Sequence, residues 1–340
     1  MATKLRTPAK LQAVRAATRA VGPVRRTTVS VKGLVARAGF PYRAPTVPFG
    51  VDAPKDPPRF GADFDTEWAR RPAARAARKV VVEGPLRLAV TVTARPEIVG
   101  TDRLRDLLDE EEPGPVIFAA NHQSHLDAPL MITSIPVPWR HRLVVGAAAD
   151  YFFGTRLTAT ASALALNAIP IDRSRVNRRS ADLATELVHD GWSLLIFPEG
   201  GRSPDGWGQP FRGGAAFLAN RTGVPVIPVH IDGAGAIWGK GAKRIKPGAT
   251  RITFGSPLRP GDGEDVRAFG ERIEHAVAVL GDESLTDWYS ARRRAAQGRT
   301  PSLTGPEYGG WRRAWALTEQ RARGKAGQRR RQKRRWPKLG

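Results

Sequence analysis

Between residues 116 and 231, short apolar runs alternate with stretches of helical pattern, and this alternation restricts the fold more than any other feature of the chain. The runs at 116–120, 143–148, 169–171, 194–197 and 226–231 are of strand length and almost wholly apolar, as expected for strands covered on both faces. Between them lie helical patterns near 156–166, at 181–190 (ended by Gly191) and at 214–220. Strand, helix and strand in succession predict an α/β fold: a central, mostly parallel sheet flanked by helices, with the functional site at the strand ends. A further strand at 251–254 and a helix at 265–280 close the domain. Upstream, a short helix at 67–78 precedes Val80-Val81-Val82, and residues 86–92 alternate apolar with other side chains as a half-buried strand would. The expected organisation is a basic N-terminal extension with a Pro-rich linker (1–78), a globular domain (79–290) and a basic Trp/Arg-rich C-terminal tail (291–340).

Charge supports that division. The formal net charge of +23 points to nucleic acid until it is resolved along the chain. Residues 1–50 hold ten Lys or Arg and no acid, and residues 292–340 hold sixteen against two, so the body between is close to neutral. Basic ends on a neutral body suit an anionic surface, either phospholipid headgroups or nucleic acid. The first segment offers a thin apolar face (Leu11, Val14, Thr18, Val21). The last interleaves arginine with Trp288, Trp311, Trp315 and Trp336 and runs into Arg329-Arg330-Arg331-Gln332-Lys333-Arg334-Arg335. Both ends are expected to be flexible. The chain has no cysteine, which excludes disulfides, thiolate metal sites and cysteine nucleophiles. No run reaches the roughly 18 uninterrupted apolar residues of a membrane-spanning helix.

Chemistry concentrates in Asn121-His122-Gln123-Ser124-His125-Leu126-Asp127, directly after the strand-like run 116–120. Pro129 fits only the first turn of a helix, so a helix is expected to start near Asp127, which leaves His122 at the strand's carboxyl end. Residues five apart diverge on a continuous helix, but the strand-to-helix break lets His122 and Asp127 meet. A carboxylate on one ring nitrogen fixes the tautomer and stabilises the imidazolium, and the other nitrogen is then a general base. The plainer reading is a helix start: Asp127 is a good N-cap, and Ser124 with Asp127 fits a capping box.

A second stretch, Phe197-Pro198-Glu199-Gly200-Gly201-Arg202-Ser203, again follows an apolar run. Two more blocks accompany the pair: Ala168-Ile169-Pro170-Ile171-Asp172-Arg173 between them and Val224-Pro225-Val226-Ile227-Pro228-Val229 after them. An Asn-His-(four residues)-Asp block and a Phe-Pro-Glu-Gly-x-Arg-Ser block about 70 residues apart, with the other two in this order, resemble the glycerolipid acyltransferase family over roughly residues 86–290. The resemblance implies an α/β acyltransferase fold and acyl transfer from a thioester, acyl-CoA or acyl carrier protein, to a hydroxyl of lysophosphatidic acid. It implies His122 as general base held by Asp127, and Arg173, Glu199 and Arg202 in acceptor binding. Gly200 and Gly201 leave room for the ligand beside the backbone. Arg175 and Arg212 are outside candidates for the acceptor phosphate, and Glu199 has a second reading as a salt-bridge partner orienting Arg202. Gly201 departs from the family, which most often has Thr there. Backbone N–H groups of the Gly200-Gly201 turn or of the helix start at Asp127 are alternative oxyanion donors. The fourth block reads as a buried strand shaping the acyl pocket, and His125 as structural.

The expectation is a transferase of phospholipid biosynthesis with no cofactor and no metal, the acyl thioester serving as co-substrate. It is expected peripherally on the cytoplasmic face of a membrane, its basic ends against anionic lipid. The same chemistry on glycerol 3-phosphate, another lysophospholipid or a glycolipid is the alternative; nucleic-acid binding on an inactive scaffold is the minor one. A tail at 292–340 that only anchors the protein is dispensable for turnover in detergent.

Overall fold

The computed structural model describes residues 64–148, 152–153, 155–171, 178–203, 205–305 and 315, all within the compact unit Pro57–Gly340. The basic pattern at 11–21, the Pro-rich linker, Arg173, Arg175 and the Arg run at 329–335 lie outside the described residues. Seven strands order the rest: β1 Pro96–Val99, β2 Ile117–Ala120, β3 Leu143–Ala148, β4 Ala168–Ile171, β5 Ser193–Ile196, β6 Val226–Asp232 and β7 Thr250–Phe254. The helices before and among the first strands are α1 Pro72–Val81, α2 Arg87–Ala94, α3 Arg105–Leu108, α4 Asp127–Ser134 and α5 Val137–Arg140. The later ones are α6 Arg156–Leu166, α7 Arg178–His189, α8 Gly214–Thr222, α9 Ala234–Trp238, α10 Val266–Leu285 and α11 Trp288–Ala296.

The strands form one sheet in the order β1-β7-β6-β2-β5-β3-β4. Every neighbouring pair is parallel except β6 and β7, so β1 and β7 together run against the other five. From β2 the chain moves outward to β3 and β4, returns as β5 beside β2, and then adds β6 on β2's other side. That reversal of direction brings the loops that leave β2 and β5 together at the carboxyl ends of the strands, the end of an open α/β sheet at which ligands bind.

Strand β2 shows why the sequence reads as it does. All four of its residues are buried. Phe118 and Ala120 enter the core on one face with Leu130 and Met131 of α4, while Ile117 and Ala119 enter the other with Leu187 of α7, Leu218 of α8 and Phe269 of α10. Phe118 also meets Trp139 and Phe254 edge-on, at ring separations of 5.8 and 6.2 Å. Burying a side chain of this size contributes roughly 1.5–3 kcal/mol, which leaves no position on the strand for a polar residue until the chain emerges at Asn121.

One segment departs from expectation. Residues 86–92 are helical, not a strand: α1 runs through a π turn at Val82–Leu86 directly into α2. Val82, Val90 and Ala94 are buried and Leu86 is half-buried, a spacing of four that puts one helical face on the core. The apparent period of two comes from Leu88 and Val92, which are exposed. Pro85, with no N–H to donate, is accommodated inside the wider π turn. The remaining surprises are short: β1 has four residues and α9 five, and α11 is mostly polar.

Candidate active site

The chain leaves β2 at Asn121, whose side chain bonds twice to the neighbouring strand: Nδ2 donates to Ile231 O at 3.0 Å and Oδ1 accepts from Ile231 N at 2.7 Å. This clamp fixes where the next residue points. His122 Nδ1 lies 2.8 Å from Asp127 Oδ2. The same oxygen accepts the backbone N–H groups of Gln123 and Ser124, each at 2.7 Å. Asp127 is the first residue of α4 and fully buried, whereas the His122 side chain keeps 20% of its surface. One carboxylate therefore closes the turn ahead of the helix and holds the imidazole, but Asp127 is not the N-cap expected of it: Leu126 holds that position, and the Asp127 side chain caps no helical amide. Three donors on one oxygen stabilise a carboxylate in a place where an uncompensated charge is very costly. Ser124 supports the turn in a different way, accepting Leu126 N on Oγ at 3.1 Å and donating to Trp238 O at 2.9 Å.

The second block reaches the same place from β5, the strand beside β2. Glu199 is 2% exposed, and its two carboxylate oxygens take two backbone amides, His122 N at 2.8 Å and Gln209 N at 2.9 Å. Burial raises its pKa to about 7, against the opposing pull of those two N–H groups. Ser203 N donates to His122 O at 2.9 Å, so the backbone of His122 is held on both sides by the second block. The Phe197 ring stacks on His122 at 4.3 Å.

Gly200 has φ of +69°, and a Cβ there would come within 2.9 Å of Arg212 Nε. Glycine is favoured at that point by its conformation, and its lack of a side chain lets the Arg212 guanidinium lie over it. Arg212, expected as no more than an outside candidate, thus sits at the turn, its backbone N–H on Pro198 O at 2.8 Å. The Gly201-Arg202 backbone is held by Gln209, whose Nε2 donates to both carbonyls at 3.0 and 3.2 Å. Arg202 Nη1 contacts His125 Nε2, and the His125 ring lies against Trp238 at 4.7 Å. Burial first, and then the Arg202 cation, lower the His125 pKa, which keeps that ring neutral.

His122, Asp127, Glu199, Gly200, Gly201 and Arg202 are thus gathered at one strand-end crevice; Arg173 lies outside the described residues. Sequence reading missed three supports of this site. Gln209 lies outside the motif and carries no chemistry of its own, Asn121 acts as a clamp on β6, and His125 was read as structural but touches Arg202. Only Asn121 carried a signal, since it opens the first block. Among the described residues no group of three or more His, Cys, Asp or Glu is gathered in a way that could hold a metal ion.

Residues 95–232 match the family model described as Acyltransferase. A 1-acyl-sn-glycerol-3-phosphate acyltransferase of Cocos nucifera is 32% identical over 99 residues, 29% of this chain and 30% of that protein. One of Pseudomonas aeruginosa is 29% identical over 216 residues, 61% of this chain and 78% of that protein. The chain spans less than two thirds of the length of the first relatives it matches. The crystal structure of the 1-acyl-sn-glycerophosphate (LPA) acyltransferase PlsC from Thermotoga maritima aligns with a TM-score of 0.49 at 24% identity, covering 64% of this chain and 85% of that one.

Sheet, crevice and matched segment together define an acyltransferase domain. Its relatives among named proteins are 1-acyl-sn-glycerol-3-phosphate acyltransferases, in line with the glycerolipid acyltransferase family that its four sequence blocks resemble.

Proposed function

We propose that the protein transfers an acyl chain from a thioester, acyl-CoA or acyl carrier protein, to the free hydroxyl of lysophosphatidic acid, making phosphatidic acid. The observation that carries this reading is the 2.8 Å contact between His122 Nδ1 and the buried Asp127 carboxylate. With its proton on Nδ1 directed at Asp127, the ring offers the Nε2 lone pair. Nε2 takes the proton of the acceptor hydroxyl as its oxygen bonds to the thioester carbonyl carbon. The tetrahedral intermediate then collapses with cleavage of the C–S bond. The thiolate is a good leaving group and takes up the proton from His122, so neither a covalent acyl-enzyme nor a cofactor is needed. Asp127 stabilises the imidazolium in between.

Of the candidate oxyanion donors, the Gly200 N–H is engaged with Phe197 O, and the amides of Gln123 and Ser124 with Asp127. The Gly201 N–H is the remaining candidate in that turn. Arg202, on the rim beside His125, is the group for the acceptor phosphate, with Arg173 as its expected companion. Glu199 acts on the backbone of His122 and not on the acceptor, because both of its oxygens serve amides.

The reading includes peripheral attachment at the cytoplasmic face of a membrane. No helix among the described residues is long and apolar enough to cross one. Val80, Leu88 and Val92 are nonetheless 72, 65 and 62% exposed on the α1–α2 run, next to exposed Lys79 and Arg95. Apolar side chains ringed by cations suit an anionic lipid surface.

The test is direct. Purified protein given acyl-CoA and lysophosphatidic acid should release free CoA and form phosphatidic acid, and His122→Ala should lower the rate by about 10³ or more. Turnover by the alanine variant at the wild-type rate would defeat the mechanism, and transfer only to glycerol 3-phosphate or another acceptor would reassign the substrate.

A further inference from the structure

The described chain continues past α11 and turns back onto the loop that follows the second block. Gly298 has φ of +65° and Arg299 N closes on Arg294 O at 2.8 Å, ending the helix and redirecting the chain. Four residues past Arg299, Leu303 O accepts Gly208 N at 2.8 Å. A Cβ on Gly208 would lie 3.1 Å from that oxygen, so the two backbones are in close approach. Gly305, at φ of +77°, sits on the indole face of Trp207; a Cβ there would come within 2.7 Å of Cε3. The Trp207 N–H is buried with no acceptor among the described residues, so the ring is held by its faces and not by its polar end.

From this covered loop the hydrogen bonds lead inward. Gly206 N donates to Ser203 Oγ at 2.7 Å, Gln209 N to Glu199 Oε2 at 2.9 Å, and His122 N to Glu199 Oε1 at 2.8 Å. Ser203 N bonds the carbonyl of His122 itself. One residue, Gly208, separates Trp207 from the amide of Gln209 that fills one side of Glu199, and Glu199 fills its other side with the amide of the proposed base.

We infer that residues 298–305 are a strap that sets the position of His122 through Trp207, Gly208, Gln209 and Glu199, making Trp207 and Gly208 positioning residues for acyl transfer. This rests on the reading of His122 as the general base. It also runs against the expectation that a tail from residue 292 onward is dispensable for turnover, because the strap lies within that segment. The strap works because the crevice loops carry no regular secondary structure of their own between β5 and α8. Their geometry is borrowed from whatever covers them.

The test uses full-length variants. Trp207→Ala removes the ring under Gly305, Trp207→Phe keeps an apolar plate there, and Gly305→Val lifts the strap while leaving Trp207 in place, since a β-branched residue fits neither the positive φ nor the space. Trp207→Ala and Gly305→Val should each lower kcat about tenfold, with the KM for lysophosphatidic acid changed less than threefold and the thermal transition still cooperative. Trp207→Phe should recover kcat to within about threefold of wild type. Amide hydrogen exchange at His122 and Gln209 should speed up at least tenfold in the two disruptive variants and not in Trp207→Phe. Wild-type kcat in both disruptive variants, or unchanged exchange at the two amides, overturns the strap. The exchange measurement needs no substrate, so a wild-type protein with no transferase activity would count against the proposed function while the strap is still judged by exchange.

Discussion

Two regions of the molecule are built from the same side-chain types and wired in opposite ways. In the crevice, the buried carboxylates of Asp127 and Glu199 accept backbone amides from Gln123, Ser124, His122 and Gln209. Along the far edge of the sheet, a groove of about 820 Å³ is lined by Arg103, Arg251, Arg292, Leu280, Glu283 and Trp288. There the buried carboxylate of Glu283 accepts Arg103 Nη2 at 2.6 Å, while Nη1 of the same guanidinium donates to Phe254 O at 2.9 Å. A carboxylate answered by amides fixes the atoms of a loop and stays available to order an imidazole. One answered by a guanidinium pins α10 to the end of β7 through a single oxygen, its other oxygen having no hydrogen-bond partner among the described residues. The difference teaches that buried acids need not share a role: the partner, more than the burial, decides whether an acid organises chemistry or packing.

Breaking the first wiring should have the largest effect. Asp127→Ala strands three donors and removes the group that orients His122. We expect kcat to fall by about 10³ or more, with a stability loss of at least 2 kcal/mol. Asp127→Asn is the sharper variant, because all three donors converge on Oδ2 and Oδ1 has no partner. A carbonyl oxygen placed at the Oδ2 position keeps the three contacts, loses the charge and puts a buried NH2 group where Oδ1 has no partner. Stability should fall by about 1–3 kcal/mol, and kcat should fall by about 10², the share due to stabilising the imidazolium. Denaturant unfolding beside CoA-release kinetics separates the two variants; equal rates for Asn and wild type would show that the charge is irrelevant. The second wiring should respond the other way. Glu283→Ala leaves the half-buried Arg103 without its acid and should cost about 3 kcal/mol of stability. Its kcat per folded molecule should match wild type at a temperature where both are folded, and a catalytic defect there would erase the distinction between the regions.

Legibility in the sequence follows the same divide. Strands β2, β3, β5 and β6 are buried on both faces, so each reads as an apolar run with a polar break at its end, and the breaks after β2 and β5 are the two candidate site blocks. The pairing of His122 with Asp127 was legible because it depends on one chain reversal five residues long. Glu199 was legible as a site residue but not in its role, since its partners are amides, which every residue has. Gln209 was invisible for the same reason. The α1–α2 run misled because its exposed Leu88 and Val92 imitate a strand's alternation while the face that packs, Val82, Leu86, Val90 and Ala94, repeats every fourth residue. Strand β1 is four residues long at the sheet's edge, and its register comes from β7, far away in sequence.

The smallest expected effect tests how far amide wiring reaches. Burial holds the Glu199 carboxyl at a pKa of about 7, above its ordinary 4.5. Below 4.5 the folded and unfolded chains both keep the proton. As pH rises from there, the unfolded chain releases it while the folded one retains it, so the stability contributed by the protonated form declines through about pH 7 and is flat above. The decline amounts to roughly 3 kcal/mol at most. The tethers run in the opposite sense, since an ionised carboxylate accepts two amides better than a protonated one, whose hydroxyl oxygen is the weaker acceptor. Wild type should therefore lose thermal stability between pH 5 and 8 while kcat rises through about pH 7. Glu199→Gln has one acceptor for two amides at every pH. It should show a flatter stability profile over that interval and a kcat lower by about tenfold at pH 8, an amount in keeping with one weakened hydrogen bond. Melting temperature and kcat measured at half-unit pH steps decide it: if the glutamine variant keeps the wild-type slope in stability, Glu199 is not the titrating group, and the two amides on its oxygens hold the crevice at every pH alike.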